Sequence, residues 1–139
     1  MSQDMQAKWD HGRDTLKPAV ESDLINWAFW SSGGRPDLGH AHKTNFYDQM
    51  KGASAAPSPP AIDMERAEHT EDTLVMWRLV ARNADPASRR HLADLLRVLK
   101  MHFLSARPVE VKRNILGMSR SRYYRLLDDA LYRYWILSQ

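Results

Sequence analysis

Residues 108–131, PVEVKRNILGMSRSRYYRLLDDAL, have the pattern of a short helix, a tight turn and a longer helix. Gly117 lies where the first helix must end, and glycine adopts the left-handed backbone that such an ending favours. Met118 supplies one apolar side chain for the angle between the helices, and Ser119 is a preferred residue for capping the helix that follows. The stretch therefore predicts one helix before Gly117 and a second after Ser119.

The two predicted helices differ in their exposed surface. The first, residues 109–116, is expected to bury Val111 and Ile115. The second, which runs to about Leu137, has apolar residues at helical spacing on one side. These are Tyr123, Leu126, Leu127, Ala130, Leu131 and Tyr134. Its other side is polar in the first two turns, where it carries Arg120, Ser121, Arg122, Tyr124 and Arg125.

Positive charge is concentrated around this segment. The chain has 20 Lys and Arg against 17 Asp and Glu, but from Arg97 to Arg125 there are eight basic residues and one acid, Glu110. Such a local excess attracts polyanions. Arginine can bond both acceptors of guanine, and Ser or Tyr hydroxyls suit phosphates. The pattern predicts double-stranded DNA as a partner; the alternative is a helical hairpin that only packs, with arginines that solubilise it.

The rest of the chain is also predicted to be helical. Asp63 is expected to cap a helix that reaches Asn83, and Asp85 with Pro86 begins the next one. Ser22 is expected to cap a short aromatic helix, whereas the residues up to about 18 look weakly ordered. No strand alternation is present. The chain is thus predicted to be all-α. The predicted regions are an N-terminal aromatic helix with a long loop at 31–60 (residues 1–60) and a helical domain (61–139) whose helix-turn-helix spans 108–137.

Several classes of function find no support. The absence of cysteine excludes disulfides and thiolate metal sites and favours an intracellular protein. No apolar run is long enough for a membrane span, and the polar N-terminus is not typical of a signal peptide. No phosphate-binding glycine loop or zinc-protease motif occurs, and His40 and His42 are interpreted as plain polar residues. We therefore expect no enzyme activity, cofactor, metal or membrane partner, and a cytoplasmic, nucleoid-associated location.

Residues 117–131, GMSRSRYYRLLDDAL, resemble the sigma-factor region that binds the upstream promoter element. Together with the aromatic segment NWAFW (26–30) and the acidic segment DMERAEHTEDTLVMW (63–77), the layout over 22–137 resembles phage and prophage late-gene antitermination proteins of the Q type. One departure concerns Arg113, because helix-turn-helix sequences usually have a small residue four positions before the turn glycine. Either the helices cross further apart, or the alignment shifts by one residue.

The resemblance implies a mechanism. Q-type proteins bind promoter-proximal DNA, load onto sigma-paused RNA polymerase and alter its RNA exit channel, so that terminators are read through. Polymerase and sigma are thus implied partners, and contacts with nascent RNA or with a second copy on DNA remain open. A conventional helix-turn-helix repressor or activator and a small phage packaging (terminase) subunit are the alternatives. The implied DNA contacts are Lys112 and Arg113 at phosphates, and Ser119, Arg120, Ser121, Arg122, Tyr124 and Arg125 on the recognition helix.

Overall fold

The computed structural model describes residues 2–33 and 61–139, and these form five α-helices and no strand. The all-α class is therefore confirmed for this part of the chain. Of the predicted loop at 31–60, residues 31–33 belong to the first helix and the remainder lies outside the described residues. The helices are α1 (Ser2–Gly33), α2 (Met64–Arg82), α3 (Pro86–Leu104), α4 (Val109–Leu116) and α5 (Arg120–Leu137).

The starts of α2 and α3 lie where the capping residues predict them. The Asp63 side chain accepts a hydrogen bond from the backbone N–H of Arg66, and Asp85 caps α3 with Pro86 at its first position. The Asn26 side chain donates to the carbonyl of Asp63 and accepts from its N–H, both at 2.9 Å. This pair of bonds attaches the beginning of α2 to the C-terminal third of α1.

The N-terminal helix is longer than predicted, because it begins at Ser2. Residues before 18 are helical rather than weakly ordered, and Ser22 lies inside α1 instead of capping it. The helix continues through Pro18. Since the segment has no strong apolar stripe of its own, its order must come from contacts with the rest of the protein.

Trp9 provides one such contact. It is 2% exposed, and its ring lies 5.5 Å from that of Trp135 and 5.8 Å from that of Tyr132. Both partners belong to α5, at the far end of the sequence. Asp128 of α5 also forms ion pairs with α1, to Arg13 at 3.0 Å and Lys17 at 3.1 Å.

Helix α5 packs against each of the other four helices. Its buried side includes Tyr134, whose hydroxyl lies 2.8 Å from that of Thr70 in α2. The fully buried Trp77 of α2 donates its indole N–H to the carbonyl of Leu92 in α3 at 3.1 Å. Buried residues of α1, α2, α3 and α5 form one continuous core, so α1 is part of the same folded unit.

Replacing Trp9 by alanine tests the packing of α1 on α5. Trp9→Ala should lower the free energy of unfolding by about 3–5 kcal/mol, because it leaves a cavity beside two aromatic rings. Lys8→Ala, at the exposed neighbouring position, should change it by no more than about 0.5 kcal/mol. Urea denaturation followed by circular dichroism measures both values, and equal stability of the two variants would contradict this packing.

Candidate nucleic-acid interface

The turn between α4 and α5 is closed by two backbone hydrogen bonds. Gly117 has φ 68° and ψ 37°, the left-handed conformation expected from the sequence. Its N–H donates to Asn114 at 3.1 Å, and the N–H of Met118 donates to Arg113 at 2.9 Å. This pairing is the Schellman ending of a helix, and Met118 is buried beside it. The turn therefore has a defined geometry.

The first turn of α5 is capped as predicted. Ser119 has an extended backbone, and its hydroxyl accepts a hydrogen bond from the N–H of Arg122 at 3.2 Å. Arg113, which stands where a small residue is usual, lies beside this turn and donates to the carbonyl of Met118 at 3.3 Å. The long side chain is thus used to hold the turn. The N-terminus of a helix held in this way favours anions, through its free N–H groups and its dipole.

A polar, basic surface covers the exposed side of α5 in its first two turns. In the part of the chain that the structure describes, the Arg125 side chain forms no ion pair or hydrogen bond. Arg122 is paired only loosely, with its guanidinium 3.8 Å from the carboxylate of Asp94 in α3. Exposed pairs of this kind contribute little to stability, so they leave a guanidinium available to another anion. The exposed residues of this basic face are Arg120, Ser121, Arg122, Tyr124 and Arg125.

Glu110 of α4 lies at one edge of the basic face. It accepts hydrogen bonds from Arg113 at 2.6 and 2.9 Å, and Arg120 approaches it at 3.5 Å. The hydrogen bond from Arg113, together with the charges of both arginines, lowers the pKa of Glu110. The Arg120 guanidinium also lies 5.9 Å from the ring centre of Tyr124. Arg120 is therefore oriented along the helix surface while its side chain remains 69% exposed.

The position of Lys112 differs from the expected phosphate contact. Lys112 is 4% exposed, and its ammonium donates to the carbonyl of His102 at 3.1 Å. Conversely, the prediction that Val111 and Ile115 are buried is wrong, because both are exposed. The side of α4 that carries Lys112 faces the protein, since the aliphatic stem packs inward and a backbone carbonyl satisfies the ammonium. Burial lowers the pKa of Lys112.

With Lys112 facing inward and Ile115 facing outward, an apolar groove lies between α3 and α4. Its volume is about 480 Å³, and Ile115 contributes to its wall. Burial and then the charge of Arg78 lower the pKa of Lys100, one of the two cations in the lining. The lining residues are Arg97, Lys100, Met101, Leu104, Ser105, Ile115 and Leu116.

A polar trio that the sequence did not reveal joins α3, α4 and α5. The Tyr123 hydroxyl lies 3.0 Å from Nδ1 of His102, whose carbonyl accepts the Lys112 ammonium. Burial, followed by the Lys112 charge, lowers the pKa of His102 to about 4. Burial, followed by the charge of Tyr124, raises the pKa of Tyr123 to about 12. The imidazole and the phenol are thus neutral near pH 7. The hydrogen bonds of the trio connect α3 to both α4 and α5.

Comparisons with protein-family models, with curated proteins and with solved structures find no match. Within 2–33 and 61–139, no group of three or more His, Asp or Glu residues is arranged to hold a metal ion. His40 and His42 lie outside these ranges. In the same part of the chain, no helix combines the length and apolarity needed to cross a membrane.

The environment of the half-buried His102 predicts how the stability of the protein depends on pH. The pKa of His102 is about 4 in the folded protein and ordinarily 6.5, so the unfolded chain binds its proton more readily. As pH falls from about 6.5 to about 4, stability should decrease by about 3 kcal/mol from this group alone, and below that range the contribution should level off.

His102→Asn is the matched variant, because asparagine places a polar atom near Nδ1 but does not titrate. Urea denaturation at a series of pH values should show that the variant loses less stability than the natural chain over that interval. Parallel curves for the two proteins would contradict the lowered pKa of His102 in the folded protein.

Proposed function

We propose that this protein is a DNA-binding transcription regulator that inserts α5 into the major groove of a duplex. The observation that carries the proposal is the exposure of Arg122 and Arg125 on a helix whose opposite side is fixed in the core. A recognition helix needs this combination, because its base contacts must project from a rigid support.

The proposed roles follow from position and chemistry. Arg122 and Arg125 contact base edges, since a guanidinium can bond two guanine acceptors at once. Arg120, Ser121 and Tyr124 contact phosphates, and the α5 N-terminus capped by Ser119 adds N–H donors. Arg113 and Lys112 act as positioning residues: Arg113 holds the turn, and Lys112 supports α4 from its buried side.

The more specific form of the proposal is antitermination, and it rests on the resemblance to Q-type proteins. In that mechanism the protein binds promoter-proximal DNA, joins RNA polymerase held by sigma, and then accompanies the enzyme through terminators. The groove between α3 and α4 is consistent with a protein partner, because it offers accessible apolar surface next to the basic face.

Two arginine variants test DNA recognition. Arg122→Ala and Arg125→Ala should each weaken binding to the cognate site by about 1–3 kcal/mol, roughly 10- to 100-fold in Kd, and should relax sequence choice. Arg90→Ala removes an exposed arginine at the start of α3, outside the basic face, and should bind like the natural protein. Fluorescence anisotropy with DNA selected from random duplexes measures all three affinities; equal affinities would reject α5 as the recognition helix.

Lys112→Met separates support of the fold from contact with DNA. The variant keeps an aliphatic stem but leaves the His102 carbonyl without its donor, at a cost of about 1–3 kcal/mol in stability. At temperatures where the variant remains folded, its DNA affinity and salt dependence should match those of the natural chain. A salt slope shallower by about one unit would instead show that Lys112 meets a phosphate.

A transcription assay tests the antitermination form. With polymerase, sigma, a promoter template carrying the selected site and a downstream terminator, the protein should increase read-through, and Arg125→Ala should abolish the increase. Binding to the template with unchanged read-through would favour a conventional repressor or activator. A stable ring in sedimentation, with specific binding to packaging-site DNA, would favour a packaging subunit.

A further inference from the structure

The outward side of α2 carries four neighbouring apolar side chains that no part of the core covers. Val75, Met76, Leu79 and Val80, here called the outer α2 patch, are each between 39% and 50% exposed. They lie on the side of the helix opposite Leu74 and Trp77, which are fully buried. Four exposed aliphatic residues in two turns form a continuous surface, in contrast to the single exposed apolar residues that are common on proteins.

The charges on either side of the outer α2 patch have opposite signs. Glu68 and Asp72 precede it and Arg82 follows it. All three are exposed, and none of their side chains forms an ion pair or hydrogen bond with another residue in the described ranges. Arg78 follows the buried Leu74 by four residues, so it lies beside the buried side of α2 and not within the patch. The exposed side of α2 therefore runs from acidic through apolar to basic.

When two copies of α2 run antiparallel, the acidic end of one exposed side lies opposite the basic end of the other, and the two apolar patches meet between them. The midpoint of the patch falls between Trp77 and Arg78, so a two-fold axis there would bring Val75 to the level of Val80 and Met76 to the level of Leu79 along the helix pair. At the helical rise, Asp72 lies about 8 Å before the midpoint and Arg82 about 7 Å after it. Each Asp72 would thus come within reach of the other copy's Arg82, twice in the interface.

We propose that the outer α2 patch is the interface of a two-fold symmetric homodimer in which the α2 helices pack antiparallel. A second copy of this chain supplies both the apolar surface and the two opposite charges at matching distances. The surface is small, so the dimer belongs to the weak, concentration-dependent class of assemblies. The inference is independent of the proposed DNA binding, because the interface lies on α2 and not on α5.

The first test is the mass of the full chain in solution, without DNA. Sedimentation velocity over a concentration series should show the 16.1 kDa chain in equilibrium with a species of twice that mass. Met76→Glu should shift the midpoint of association to at least about tenfold higher concentration, since it places a charge at the centre of the apolar contact. Met64→Glu is the matched control, because Met64 is a similarly exposed methionine about 18 Å along the same helix.

The second test uses charge reversal and reports the antiparallel arrangement. D72R and R82D should each self-associate more weakly than the natural chain, because like charges then meet at both ends of the patch. A mixture of the two variants should form a heterodimer, since every acid is again opposite a base. The double variant D72R/R82D should recover self-association on its own. Circular dichroism confirms that each variant keeps its helical content.

Three results would overturn the proposal. They are a natural chain that stays monomeric at the highest concentration reached, a Met76→Glu variant that associates as strongly as Met64→Glu, and a D72R–R82D mixture that associates no better than its components. Because these measurements contain no DNA, their failure leaves the proposed recognition by α5 to be judged separately by the affinities of its arginine variants.

Discussion

The burial of one side of α5 is the constraint on which the rest of the structure depends. Tyr123, Leu127 and Tyr134 face the core, and the helix contacts all four others. Because an α-helix is rigid over this length, fixing these residues also fixes where Arg122 and Arg125 point. A loop could carry the same arginines, but it would have to be ordered when they bind, at a cost in conformational entropy. The hydrophobic core and the candidate interface are therefore two sides of one element.

The orientation of α4 is set by a different kind of interaction. A lysine ammonium is rarely buried, because removing it from water is costly unless a hydrogen bond compensates. Lys112 meets that condition through the His102 carbonyl, and His102 in turn contacts the Tyr123 hydroxyl. With this side of α4 inward, Ile115 faces outward and lines the groove. The polar trio, together with Val109 and Leu116 packed against the core, thus gives α4 its orientation and leaves Ile115 in the wall of the groove.

The features that could be predicted from the sequence are those that local chemistry decides. Gly117 ends α4 because only a left-handed residue closes that turn, and Asp63, Asp85 and Ser119 cap helices through bonds three residues away. What could not be predicted depends on distant partners. Trp9 orders the start of α1 through rings of α5, more than a hundred residues later.

In the candidate site too, the features that depend on local spacing were predicted correctly, and those that depend on distant partners were not. The exposed arginines of α5 follow from helical spacing once the apolar side is recognised, and their exposure agrees with that expectation. The burial of Lys112 does not follow from the sequence, because the hydrophobicity of Val111 and Ile115 favours those two residues for the core. The lysine side of α4 is buried because Val109 and Leu116 pack against the core and the His102 carbonyl of α3 accepts from Lys112. The spacing of apolar residues along α4 contains no information about such a bond.

The few acids near the basic face determine which of its arginines have an ion-pair partner. Arg120 is held by Glu110 and by the ring of Tyr124, and Arg122 shares Asp94 with Arg97. To contact an approaching phosphate or base, Arg120 and Arg122 must exchange these partners, whereas Arg125 has none to exchange in the part of the chain that the structure describes. The pairs are exposed and weak, so they do not prevent the exchange. The proposed binding therefore requires no strong interaction of Arg120 or Arg122 to be broken.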